Sequence, residues 1–233
     1  LDFKNDAGEF SGLAIQDEFS KWIQSYATRT RSHEEVVMAF RRFMPLNSQP
    51  THVYVDNAPE LLKALAELNW NHDTSTPHRP ETNGVAERAV RRLKEGTSVT
   101  LLQSGLTEDW WQEAMDCYCF LRCVHDKAQG NQTAFEKRFA QPFKGPIIPF
   151  GAQIEHKPSQ PVEVQALHQF GKKLKAGIFL GYAQHAGGGW TGDLYIADWH
   201  QVEHATCSTD VHTKRFKAGE VEIAWRYGTY CFP

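Results

Sequence analysis

Glu87 opens a helical pattern, Ala86-Glu-Arg-Ala-Val-Arg-Arg-Leu-Lys94, directly after Pro77-His-Arg-Pro80 and Thr82-Asn-Gly84. Upstream, Thr51-His-Val-Tyr-Val-Asp-Asn57 reads as a strand that carries Asp56 near its end. This pair constrains the chain more than any other feature. A carboxylate ending a buried strand and a second one opening a helix can be brought together in space, which is how a protein builds an all-oxygen site for a hard divalent cation. Gly84 supplies a flexible link ahead of the helix, and Thr82 or Asn83 can cap its first turn.

The remaining periodicity divides the chain. His33-Glu-Glu-Val-Val-Met-Ala-Phe-Arg-Arg-Phe-Met44 repeats apolar residues at helical spacing and should cover one face of a sheet. Pro45 to Pro50 then breaks the chain ahead of the Asp56 strand, and Glu60 to Leu68 reads as the next helix. Thr107 to Arg122 is a long amphipathic helix with acids in its first turn, whose Trp110, Trp111, Tyr118 and Phe120 serve packing rather than base stacking. Thr133-Ala-Phe-Glu136 has the capping-box pattern and starts a short helix ending near Ala140. Pro142, Gly145, Pro146 and Pro149 punctuate a linker, after which Gln153–Glu155, Gly177–Tyr182 and Asp193–Ala197 read as strands of a second, small β domain.

Tyr54-Val-Asp-Asn-Ala-Pro-Glu60, with Ser75-Thr-Pro-His-Arg-Pro-Glu-Thr-Asn-Gly-Val-Ala-Glu-Arg88, resembles the catalytic core of a retroviral-type integrase, closest to the copia-like retrotransposon branch. The resemblance implies an α/β protein: a ribonuclease H-like three-layer α/β/α core with an Asp, Asp, Glu triad, here Asp2, Asp56 and Glu87. Leu13-Ala-Ile-Gln-Asp-Glu-Phe-Ser20 with Trp22 resembles the family's second strand and the turn after it, which makes Asp17 a decoy and Asp2, one hairpin earlier, the first triad member. Asp6 is a second candidate for that position. Pro149-Phe-Gly-Ala and Lys172-Lys-Leu-Lys-Ala-Gly-Ile-Phe-Leu-Gly-Tyr182 resemble the SH3-like module that follows the core in copia-type polyproteins. The implied boundaries are 1–142 for an N-terminally truncated core, 146–200 for the SH3-like domain, and 201–233 for a tail that offers only a strand at Val221–Trp225. Between Asp56 and Glu87 the chain is a few residues shorter than in most relatives, a gap placed around Glu67 to Asp73.

The family's chemistry moves phosphodiester bonds, with water trimming the 3′ end of the element and the freed 3′-hydroxyl attacking target DNA. The resemblance implies Mg²⁺ (or Mn²⁺), as two ions, on Asp2, Asp56 and Glu87, since such cations call for carboxylates rather than thiols or imidazoles. His72 and His78 therefore receive no role. Implied partners are element-end and target DNA and further copies of the chain assembled on DNA, with no membrane, in the nucleus or cytoplasm.

The formal charge of −3 argues at first against phosphate binding. Locally the balance reverses, with Arg79, Arg88, Arg91, Arg92 and Lys94 against Glu81 and Glu87. If Glu87 holds metal, Arg91 and Lys94 share its helical face at i+4 and i+7, and DNA should lie along it, with Asn83 and Arg88 as further contacts. Taken alone, such a run is a solvated helix surface. Apolar content of 41% supports a sizeable core, and no run approaches the roughly 18 apolar residues of a membrane helix. The five cysteines show no framework of spaced pairs, and Cys117, Cys119 and Cys123 share no helical face suited to zinc, so all read as reduced thiols. The alternatives are a catalytically inactive nucleic-acid-binding remnant of a retrotransposon polyprotein and a metal-dependent nuclease on the same fold.

Overall fold

The computed structural model describes residues 2–5, 8–75, 84–127, 130–158, 164–165, 169–171 and 173–233, with backbone alone for 2–5 and 8–11. The chain splits into two compact units, one of Leu1–Gly96, Arg122–Pro142 and Gln184–Gly189, the other of Thr97–Leu121, Phe143–Ala183 and Trp190–Pro233.

In the first unit, β1 (Asp2–Asn5), β2 (Gly8–Gln16) and β3 (Ile23–Thr28) form an antiparallel meander, with Asp2 opposite Ser11 and Gln16 opposite Ile23. The β2–β3 turn is fastened by Asp17, whose carboxylate accepts the backbone N–H of Ser20 at 3.0 Å and the Ser20 hydroxyl. Helix α1 (His33–Phe43) starts where Ser32 caps the Glu35 N–H, and Glu35 in return accepts from the N–H groups of Arg29 and Thr30. Such reciprocal capping satisfies donors that a helix start leaves open.

β4 (Val53–Val55), α2 (Pro59–Leu68) and β5 (His72–Thr74) make a parallel β-α-β unit, with Val53 opposite His72 and Val55 opposite Thr74. Pro59 sits at the first turn of α2, where its missing N–H costs nothing, and Asn69 ends the helix in the left-handed conformation at φ 54°.

Alternation along the strands produces layers. Leu13 and Ile15 pack against a core of Val36, Val37, Phe40, Val55, Ala64 and Leu65, which places α1 and α2 on one side of the meander. Gln16 and Ile23 point the other way. There they meet α3 (Gly84–Ser104), the end of α4 (Trp111–His125) and the start of α5 (Ala134–Phe139). The Ile23 N–H lies 3.3 Å from Cys123 Sγ, and burial pushes that thiol up to about 12. Helices thus cover both faces of the β1-β2-β3 sheet, an α/β/α layering. Among the described residues the strand pairing falls in two sections, β1-β2-β3 and β4-β5.

Trp22, fully buried, is boxed by Phe135 and Phe139 at centroid distances of 6.1 and 5.4 Å. Gly188, at φ +89°, closes the box: a Cβ there would stand 2.6 Å from the Trp22 ring, so only glycine fits. The capping box of α5 is present, with Thr133 Oγ1 accepting from Glu136 N–H and Glu136 accepting from Thr133 N–H at 2.7 Å.

The second unit carries a five-stranded sheet in the order β10-β6-β7-β8-β9: β6 (Gln153–His156), β7 (Lys175–Gln184), β8 (Trp190–Asp198), β9 (Lys214–Lys217) and β10 (Val221–Ile223). Ile154, Ile178, Leu194 and Ile196 fill its core. Tyr182 stacks on Phe120 at 4.4 Å, while its hydroxyl donates to Pro146 O and accepts from Ile148 N–H, both at 2.8 Å. Trp110, Trp111 and Phe120 are buried, as packing residues should be. The segment after residue 200, nearly unreadable in sequence, supplies both edge strands, β9 and β10.

Candidate active site

Parallel strands end together, and their carboxyl ends form the natural place for a site. Asp56 follows β4 directly and is exposed. Its Oδ1 accepts from the Ser75 hydroxyl at 3.0 Å and from the Asn57 N–H at 2.8 Å. Ser75 is itself buried after β5, and its N–H donates to Val55 O at 3.0 Å. The two strand ends are therefore laced together through backbone and side chain, and one carboxylate oxygen is oriented while the acid faces solvent. Ser75 lies inside the motif that the sequence displays, but its role as the group that orients Asp56 is visible only in the fold.

Glu87 stands in the first turn of α3, exposed, as are Arg88, Arg91, Arg92 and Lys94. At about 100° per residue, Arg91 and Lys94 share the face of Glu87, whereas Arg88 and Arg92 turn toward Val85 and Ala89. The latter pair lines a cleft with Lys21, Arg122 and Lys127 that sequence spacing could not reveal. Asp2 begins β1, with its backbone opposite Ser11. Asn83, Pro77–Pro80 and His78 lie outside the described residues. His72 is occupied locally, with Nδ1 at 3.0 Å from Trp70 O.

The donor chemistry suits a hard cation: Asp56 and Glu87 are exposed carboxylates, and among the described residues the hydrogen bonds to Asp56 fall on Oδ1. Among the described residues, no group of three or more His, Cys, Asp and Glu side chains is assembled for a metal. No described helix is long and apolar enough to cross a membrane.

No family model matches the chain. The Pol polyprotein of Feline endogenous virus ECE1 is 26% identical over 122 residues, covering 47% of this chain and 11% of that protein. The retrovirus-related Pol polyprotein from transposon RE2 of Arabidopsis thaliana is 26% identical over 133 residues, covering 54% and 9%. The relatives of this chain are Pol polyproteins. It spans only 11%, 7% and 9% of the first three of them. Among solved structures, the HTLV-2 integrase catalytic core in complex with magnesium aligns over 59% of this chain and 90% of its own, at 17% identity and a TM-score of 0.47. A simian T-cell lymphotropic virus intasome in complex with the PP2A regulatory subunit B56 gamma aligns over 97% and 77%, at 16% identity and a TM-score of 0.49.

Proposed function

We propose that this chain is the catalytic core of a retroviral-type integrase of the copia-like branch, spanning residues 1–142, followed by an SH3-like β domain at 146–200. Its reaction is 3′-end processing and strand transfer of retrotransposon DNA. The observation that carries the reading is Asp56, exposed at the carboxyl end of β4 and oriented by Ser75, in a chain whose relatives are Pol polyproteins.

Asp2, Asp56 and Glu87 would hold Mg²⁺ or Mn²⁺, which when bound activates the attacking oxygen and stabilises the leaving one. The chain's own residues prepare the place. Ser75 and the Asn57 N–H fix the Asp56 carboxylate before any ligand arrives, which lowers the cost of ordering it. Arg91 and Lys94 hold phosphates of the element end along the Glu87 face, with Asn83 at the start of that helix. In each step a hydroxyl oxygen forms a new P–O bond as the opposite P–O bond breaks, so no protein nucleophile is consumed. DNA ends, target duplex and further copies of the chain are the partners, in a nuclear or cytoplasmic setting.

The test is strand transfer of a labelled element end into plasmid DNA with Mg²⁺ or Mn²⁺. Products that depend on metal and disappear in Asp56→Asn and Glu87→Gln support the reading. Products that persist in either variant overturn the site. DNA binding with no joining under any metal leaves the nucleic-acid-binding remnant instead.

A further inference from the structure

Beside α3, on the side away from Glu87, lies a cleft of about 300 Å³ in which Lys21, Arg88, Arg92, Arg122 and Lys127 surround a single carboxylate, Asp126. Its floor is apolar, formed by Ile23, Leu93 and Cys123, all buried. Three elements supply the cations: the β2–β3 turn, α3 and the end of α4. Two of the five are already matched, Lys21 by Glu18 and Arg122 by Asp126 at 3.5 Å. Arg88, Arg92 and Lys127 are exposed and have no ion-pair partner among the described residues.

We propose that this cleft is a second phosphate site, which holds the backbone of a nucleic-acid strand at a place distinct from the Asp56 and Glu87 carboxylates. In a chain of net charge −3, convergence of cations from three separate elements does not follow from composition. Like charges gathered around a concavity repel one another, and an anion bound among them removes that cost. Guanidinium groups match phosphate oxygens in bidentate fashion, and the apolar floor accepts the sugar or base of the same nucleotide. Arg88 and Arg92, one helical turn apart at i and i+4, have backbone positions about 6 Å apart along the axis and both line the cleft, so two guanidiniums can meet phosphates of one strand. The site goes beyond the catalytic reading and rests on it only for the origin of the strand.

The experiment is fluorescence anisotropy of labelled single-stranded and duplex oligonucleotides with the full chain, titrated with salt, without metal. Arg92→Ala/Lys127→Ala should bind a single strand about tenfold more weakly, with a salt slope smaller by about 1.4, while its melting temperature is unchanged. Strand transfer measured separately with metal tells a failed catalytic reading apart from a failed cleft, because the cleft is read from metal-free binding alone. Unchanged affinity and slope in the double variant would overturn the proposal. So would displacement of the oligonucleotide by equimolar AMP or inorganic phosphate, which makes the cleft a free-nucleotide or free-phosphate site.

Discussion

Two aspartates, one in each unit, face opposite fates. Asp56 follows a strand in the open, and among the described residues its carboxylate is held through one oxygen. Asp198 ends β8 in the interior, where His156 Nε2 donates to Oδ1 at 2.9 Å and Lys214 Nζ to Oδ2 at 2.7 Å, with Lys175 at 3.8 Å. His156 is fully buried, with its other nitrogen 3.2 Å from Lys157 O. The hydrogen bond from His156, then that from Lys214, holds the Asp198 carboxyl well below the usual carboxylate range. A carboxylate whose valences are filled by its own fold, as in the β module, serves architecture. A carboxylate held through one oxygen and exposed to solvent, as Asp56 is, has a different environment, and we propose that it serves a metal.

The comparison breaks most sharply on activity. Asp56→Asn and Glu87→Gln should each lower strand transfer by about 10³-fold, the rate equivalent of several kcal/mol of lost charge stabilisation, while urea unfolding of either variant stays at the wild-type midpoint. Asp198→Ala should do the reverse. Removing it takes away the carboxylate that the buried His156 and the half-buried Lys214 both hydrogen-bond, and the β module should lose about 3 kcal/mol of stability, read as a lower urea midpoint.

A smaller effect is expected from Ser75→Ala, which leaves Asp56 in place but unoriented on its Ser75 side. Joining should fall by about tenfold with at most about 1 kcal/mol of stability lost. Joining that matches the wild type would make Ser75 a strand-pairing residue only.

The smallest expected effect concerns pH. Because the folded-state pKa of Asp198 lies below its unfolded value, its contribution to stability is complete above the ordinary carboxylate range and is lost as pH falls through the folded value. Melting temperature should therefore decline below about pH 4, and Asp198→Asn, already destabilised, should show a flatter acid limb. An acid limb of equal slope in the variant would assign acid sensitivity to other groups.

Local pattern made much of this legible. The helix read over His33–Met44 spans 33–43, and that read over Glu60–Leu68 spans 59–68, because apolar spacing, Pro59 and the acidic first turn act within a few residues of each other. The helix read at Thr107–Arg122 becomes a single 3-10 turn at 108–110 and a helix at 111–125. Asp56 and Glu87 are singled out by a resemblance carried by contiguous motifs. What pattern could not convey depends on distant residues meeting: Ser75 reaching Asp56 across a parallel pair, His156 and Asp198 joined across the β module, Arg92 sharing a cleft with Lys21 and Lys127. The strand at 214–217 was similarly obscure, since it is short, carries three cations in four residues and is stabilised by edge pairing rather than by its own composition, whereas the strand read at Val221–Trp225 spans 221–223.

The central claim is that Asp56 and Glu87 belong to one divalent-cation site. Titrating Mg²⁺ and Mn²⁺ into the purified chain while following its melting temperature, beside Asp56→Asn and Glu87→Gln, tests it most directly. The account predicts a saturable rise in the wild type that vanishes in both variants. An equal rise in all three proteins, or none in the wild type, would contradict it.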